Sequence, residues 1–296
     1  MIAGFEVVET TLDSGRRVFA RRGGQGPAVL LLHGFPETHL MWREIAPGLA
    51  RDFTVVCPDL PGYGRSSPAL DDPDALQSKR AMALPLIEAM ERLGFPRFTV
   101  VGHDRGGRAA YRMALDHPDR VRHLAVLDVI PTAAVWARAD ARFALAFWPF
   151  SLLAQPAPLP ERLIGGCPEA VVEAALSGWG TPASAFPDDL RAAYVEALRD
   201  PDQVHAICQE YRAAATIDRE HDEADLAQGR RIACPLLALW SASGGLGSWY
   251  ADEGGPLGIW RRWAGHVTGE AVRGGHFFPE EHPAETLERL RRFLLS

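Results

Sequence analysis

An aspartate stands where an apolar strand turns into a helix. The run Phe98-Thr99-Val100-Val101-Gly102 leads directly into His103-Asp104-Arg105-Gly106-Gly107-Arg108. A strand ending in small-x-nucleophile-x-small puts its middle residue on a tight, strained turn, and Gly102 and Gly106 keep Cβ atoms out of the crowded flanks. A serine in that place attacks a carbonyl carbon. A carboxylate attacking a carbonyl gives an unstable anhydride, so Asp104 suits a saturated carbon instead: an alkyl ester of the enzyme forms, and water then opens it at the aspartyl carbonyl. The chemistry indicated is the opening of a carbon–halogen bond or an epoxide. The alternative for Asp104 is an N-cap of the helix beginning at Arg105.

Two further positions suggest a triad in the chain order nucleophile, acid, histidine, which is the order of the α/β-hydrolases. His276 lies in Val272-Arg273-Gly274-Gly275-His276-Phe277-Phe278, after a late strand and before the helix from Pro283 onward. His39, His117, His123, His205, His221, His266 and His282 have no such setting. The acid has two candidate places. The strand over residues 122–127 ends in Asp128, whereas the strand over 234–240 runs into Ser241-Ala242-Ser243-Gly244-Gly245, which has no carboxylate. Asp128 is the better placed and Asp252 the reserve. The acid would hold the imidazole in the correct tautomer and stabilise the imidazolium. Upstream, an apolar strand opens into His33-Gly34-Phe35-Pro36, and the Phe35 and Arg105 N–H groups are placed to form an oxyanion hole. His33 is expected to anchor that loop, and the turn-rich loop over 59–66 to be structural.

Positive side chains in the first turn of a helix oppose its macrodipole, so Arg105 and Arg108 call for something negative. Three residues apart, they share a helix face beside the nucleophile. Two guanidiniums are more than one carboxylate requires, and planar forked donors match a substrate carboxylate. The chain is net −7 and repels anions as a whole, so the attraction must be local. The alternative places Arg108 on the solvated helix face, which is where Arg112 is expected.

Gly102-His103-Asp104-Arg105-Gly106-Gly107-Arg108, continued by Tyr111-Arg112-Met113-Ala114-Leu115-Asp116-His117-Pro118 and Leu127-Asp128, resembles the haloacetate (fluoroacetate) dehalogenases. The similarity extends through Gln155-Pro156-Ala157-Pro158, Gly178-Trp179-Gly180, Tyr211-Arg212-Ala213, Thr216-Ile217-Asp218 and Gly274-Gly275-His276-Phe277, nearly the whole chain. The resemblance implies Asp104 as nucleophile, Arg105 and Arg108 as carboxylate clamp, Asp128 and His276 as the water-activating pair, and Tyr211 as donor to the departing halide. It also implies a small anionic haloacid as substrate and a homodimer. One departure stands out. Members that cleave fluoroacetate carry a His-Trp pair in the cap that hydrogen-bonds the leaving fluoride; here the segment reads Phe147-Trp148-Pro149-Phe150, so Pro149 and Phe150 replace both donors. Trp148 is a candidate substitute donor, and Trp179 a candidate pocket wall. Chloride and bromide leave with less help than fluoride, so they are the expected leaving groups.

With 296 residues and 47% hydrophobic content, the chain can build one large domain with an insertion. Strands are expected near residues 5–11, 15–20, 28–33, 53–57, 97–102, 122–128, 235–241 and 267–273, alternating after the first two with helical patterns. That is an α/β architecture, a mostly parallel doubly wound sheet of the α/β-hydrolase type. Residues 130–222, rich in Trp, Phe, Pro and Ala, break the rhythm and read as a helical cap over the strands' carboxyl ends, with 1–129 and 223–296 as the core. The N-terminus lacks signal-peptide character and no apolar run reaches spanning length, so a cytoplasmic protein without membrane contact is expected. Cys57, Cys167, Cys208 and Cys234 lack metal-site spacing, no stretch suggests nucleic acid, and no metal or cofactor is expected. Beside the dehalogenase reading stand an epoxide hydrolase, which would need two cap tyrosines of which Tyr194 and Tyr211 are the candidates, and a ligand-sensing relative without turnover.

Overall fold

The computed structural model describes residues 1–296. Eight strands form one sheet: β1 (Glu6–Thr11), β2 (Arg17–Gly23), β3 (Ala28–Leu32), β4 (Thr54–Pro58), β5 (Phe98–His103), β6 (Val121–Leu127), β7 (Leu236–Ser241) and β8 (Val267–Val272). Each coincides with one of the expected strands. Their spatial order is β1-β2-β4-β3-β5-β6-β7-β8, with β1 and β2 antiparallel and the rest parallel. β3, β4 and β5 are buried at every position, as strands covered on both faces must be. Their near-continuous apolar sequence is the consequence of that burial.

The order reverses around β3, which lies between β4 and β5. Open α/β sheets bind ligands outside the carboxyl ends of their strands at such a switch point. The register pairs Leu32 of β3 with Gly102 of β5, so the chain leaves the sheet side by side at residues 33–35 and at Asp104. Two loops distant in sequence are thereby placed within hydrogen-bonding reach.

Between β6 and β7 the chain forms only helices, from Thr132–Trp136 to Ile217–Ala227. They cover the carboxyl ends of the strands, and one apolar cluster runs without a break from Val100 and Val126 in the sheet to Phe143, Phe150 and Tyr211 in the insertion. The expected return to the core at residue 223 falls inside the last of these helices, because Asp218, Asp222 and Asp225 form one buried face that continues past it. No helix is long and apolar enough to cross a membrane.

Candidate active site

Asp104 and Asp128 are the two non-glycine residues with positive φ, +45° and +49°. Such a conformation costs a non-glycine residue on the order of 1–3 kcal/mol and persists only where surrounding structure imposes it. At Asp104 the imposing structure is the turn from β5 into the helix Asp104–Asp116, where a side chain on Gly102 would run into the backbone of Gly106. Asp104 Oδ1 accepts the Phe35 N–H at 3.1 Å. The Arg105 amide lies in the first helical turn, whose N–H groups have no intrahelical acceptor.

His276 faces both carboxylates. Its Nδ1 lies 2.6 Å from Asp128 Oδ2, and because a carboxylate only accepts, Nδ1 carries the proton. The other Asp128 oxygen accepts the Ser241 N–H at 2.8 Å, which fixes the carboxyl plane. Nε2 is left with its lone pair toward Asp104, 3.9 Å from Oδ2, too far for a direct hydrogen bond. Asp252 is not brought to the histidine: it is exposed and pairs with Arg138 at 2.6 Å. The His276 N–H donates to the carbonyl of Trp179 at 2.9 Å, so the cap helps to hold the histidine loop.

The cavity above Asp104 is lined by Asp104, Phe147, Pro149, Phe150, Trp179, Tyr211 and His276, and its volume is about 20 Å³. A groove of about 230 Å³ adjoins it and shares Phe147, Trp179 and His276. A larger cleft, about 430 Å³, lies around Arg16, Asp71, Asp202 and His205; it contains no nucleophile–base pair, so volume alone misidentifies the site. Phe150, Trp179 and Tyr211 line the cavity as expected; Trp148 does not. Neighbouring helical residues point about 100° apart, so in Trp148–Leu152 the buried Pro149 and Phe150 face inward and Trp148 packs half-buried elsewhere. The Trp179 indole is also committed, donating to Ala146 O at 2.5 Å.

Arg105 and Arg108 lie behind this aromatic wall, 0% and 4% exposed. The Arg105 Cζ is 4.0 Å from the Tyr211 ring centre, and the Arg108 Cζ is 5.0 Å from that of Phe150. Arg105 Nε donates to Glu210 at 2.7 Å, while both its Nη atoms are buried without a partner. Arg108 Nη1 donates to Ile130 O and Thr132 Oγ1 at 3.0 and 3.1 Å, and its Nε is unpartnered. Buried donors of a cation are expensive to leave unmet, so three of them together near Asp104 mark a place for an anion. Arg112, expected on the solvated face, is instead buried between Asp222, at 2.7 Å, and Asp225. It ties the elbow helix to the cap helix Ile217–Ala227 and takes no part in the cavity.

Burial alone would raise the Asp104 carboxyl; His276, Arg105, His103 and Arg108 outweigh it and hold it down to about 2, so Asp104 is an anion. Burial pushes the Tyr211 phenol up, so it stays a donor. Burial lowers His33 to about 4; neutral, it donates from Nδ1 to Gly34 O and accepts the Leu60 N–H at Nε2, tying together the two loops it was expected to anchor.

Residues 27–283 match the α/β hydrolase fold family. The chain is 46% identical over 274 residues to a fluoroacetate dehalogenase from a Burkholderia species, covering 92% of this chain and 88% of that one. It belongs to the haloacetate dehalogenase family of the α/β-hydrolases. A soluble epoxide hydrolase from Corynebacterium sp. (strain C12) is 30% identical over 95% of this chain and 94% of its own. A solved structure from Nostoc sp PCC 7120, assigned to the α/β hydrolases, superimposes with a TM-score of 0.93 at 45% identity, covering 99% of each chain.

Several polar residues of this α/β-hydrolase escaped the sequence reading. Glu37 follows the oxyanion loop and accepts the Gly34 N–H at 3.1 Å. It also meets His103 Nδ1 at 3.1 Å, and His103 Nε2–H donates to the His276 carbonyl at 3.0 Å. Glu37 and Glu280 each have one buried oxygen without a partner, and burial pushes Glu37 up to about 7 and Glu280 above the carboxylate range. Tyr63, in the loop taken as structural, reaches Glu210. The signal for Glu37 and Glu210 was present, a lone carboxylate beside a site motif, but their partners are remote in sequence.

Proposed function

We propose that the protein hydrolyses short 2-haloacids, converting haloacetate to glycolate plus halide through an alkyl ester of Asp104, with chloride and bromide favoured over fluoride. The observation that carries this reading is the set of unpartnered buried guanidinium N–H groups beside an ionised nucleophile opposite a histidine–aspartate pair. The substrate carboxylate would meet Arg105 and Arg108 as the Phe150 ring gives way, bringing the halogen-bearing carbon to Asp104. An Asp104 oxygen displaces halide, which leaves with its electron pair toward Tyr211. A water molecule then gives a proton to His276 Nε2 as its oxygen attacks the Asp104 carboxyl carbon, and Asp128 stabilises the imidazolium. The Phe35 and Arg105 N–H groups hold the tetrahedral oxyanion. Collapse expels glycolate, which takes the proton from His276; Asp104, now carrying one oxygen from water, releases the second water proton to solvent and returns as the carboxylate.

The small cavity supports a two- or three-carbon acid over a bulky substrate. The epoxide relative keeps a second reading in view, but only one of its two required tyrosines is in place. Tyr194, the other candidate, is buried and donates to Glu280 at 3.0 Å, outside the cavity. Halide release from fluoro-, chloro- and bromoacetate, beside diol formation from small epoxides, tests the reading; diol without halide would replace it with the second.

A further inference from the structure

Glu210 sits on the cap helix Pro201–Ala215 next to Tyr211 and is 1% exposed. Three donors from the core take its two oxygens: Arg105 Nε at 2.7 Å and the Lys79 ammonium on Oε1, and the Tyr63 hydroxyl at 2.5 Å on Oε2. Lys79 opens the helix Lys79–Arg92, is equally buried, and its backbone N–H donates to Asp218 at 2.9 Å. Neither Lys79 nor Glu210 lines the cavity.

This arrangement fixes Arg105. A planar guanidinium held at its Nε edge by Glu210 and covered on one face by Tyr211 presents only the edge with its two unpartnered Nη atoms, the edge that meets a carboxylate bidentately. The anchor has an electrostatic cost, because Glu210 consumes the charge Arg105 would offer. Arg105 and Arg108 against Asp104 and Glu210 balance to zero before any substrate arrives. Lys79 adds a positive charge directly on Glu210; its other near carboxylate is Asp218, which accepts the Lys79 backbone N–H. Without it, an incoming carboxylate would bring a net negative charge into a closed space beside an anionic nucleophile, which is strongly unfavourable.

We propose that Lys79 is a specificity-determining residue: by offsetting Glu210 it leaves the charge of Arg105 to the substrate, so that the site selects carboxylate-bearing molecules over neutral ones. The proposal rests on reading Arg105 and Arg108 as the carboxylate clamp. Burial and then the field of Arg105 push the Lys79 ammonium below its ordinary range, and Asp218 opposes them.

The test compares binding of glycolate and of uncharged glycolamide by calorimetry, with KM and kcat for chloroacetate and chloroacetamide alongside, in the unmodified protein, Lys79→Met and Lys79→Met with Glu210→Gln. Lys79→Met should weaken glycolate binding and raise KM for chloroacetate about ten- to a hundredfold, with glycolamide and chloroacetamide changing less than about threefold. Adding Glu210→Gln should recover most of the glycolate affinity, since the anion that Lys79 offsets is gone while an amide oxygen still accepts from Arg105. A merely structural lysine would not show this rescue. Equal losses on charged and neutral ligands, no loss, or no rescue would overturn the proposal. If Lys79→Met fails to fold, the charge-balanced double variant decides: it must still prefer glycolate. Unmodified protein that binds glycolate no better than glycolamide would instead refute the clamp, whereas glycolate preference without halide release would refute the dehalogenase reading alone.

Discussion

The catalytic cavity has two walls of opposite character. The core wall is polar and fully committed: Asp104 is held by the Phe35 N–H, His276 by Asp128 and the Trp179 carbonyl, and Asp128 by the Ser241 N–H. The cap wall is aromatic. Phe147, Phe150 and Tyr211 meet edge to face, with ring centres 6.2 and 5.8 Å apart, and Pro149 offers no donor. The Trp179 N–H is spent on Ala146, which leaves the Tyr211 hydroxyl as the cap wall's donor. The difference teaches how the two demands of the reaction are divided. Attack and hydrolysis need groups fixed in angle and charge, and these follow the carboxyl ends of the strands, Asp104 and Asp128 with strained backbone. The leaving group meets a surface made mainly by packing, which a few substitutions can re-equip.

The largest effect should come from the core wall. Asp104→Ala should release no halide above background, and in the unmodified protein a single turnover in heavy-oxygen water should give glycolate without label, because the product oxygen comes from Asp104. Labelled product in that first turnover would mean direct attack by water. Removing the base separates the two steps: His276→Asn should release one equivalent of halide and then stall, showing an alkyl adduct in the intact mass. Since Asp104 stays ionised down to about pH 2, protonation of the carboxylate should not limit that first equivalent above that pH. Undiminished turnover without His276 would remove it from the mechanism, and full activity in Asp128→Asn would remove the acid.

Behind the walls, Arg108→Leu should cost chloroacetate turnover roughly thirty- to a thousandfold, about 2 to 4 kcal/mol for a charge-assisted contact in a dry site, and chloroacetamide far less. Equal losses would assign Arg108 to the fold through Ile130 and Thr132. The cap wall can then be rewritten. Chloroacetate and bromoacetate should be turned over faster than fluoroacetate, Tyr211→Phe should slow chloroacetate about tenfold, and Pro149→His with Phe150→Trp should raise fluoroacetate relative to chloroacetate, because each donor to a developing anion is worth about 2.7 to 4 kcal/mol elsewhere. A native preference for fluoroacetate would show that the wall has donors beyond Tyr211. The smallest effect concerns stability. Glu37 is raised to about 7 in the fold, so the native state binds more protons than the unfolded chain between roughly pH 4.3 and 7, and stability falls as pH rises through that window. Glu37→Gln should flatten that slope in thermal melts; an unchanged slope would assign the pH dependence to another group.

Much of the core wall was legible in the sequence because its signals are local. An apolar run, a glycine pair and the residue between them specify an elbow, and a carboxylate at the tip of the next strand lies beside it once the strands pair in order. Arg112 was misjudged for the opposite reason. Helical spacing shows which residues share a face but not what covers that face, and Asp222 and Asp225, more than a hundred residues away, turned a solvated position into a buried one. Trp148 failed on rotation, since a helix start displaced by one residue changes which of Phe147, Trp148 and Pro149 faces the cavity.

By itself the sequence determined the sheet, the elbow and the chemistry an aspartate can perform there, because strand burial, turn sterics and nucleophile type are properties of short segments. The tertiary structure alone decided which charges are free. Glu210, Lys79, Glu37 and Glu280 reach the site from elements far apart in the chain, and the worth of a buried charge depends on what surrounds it, not on its neighbours in sequence.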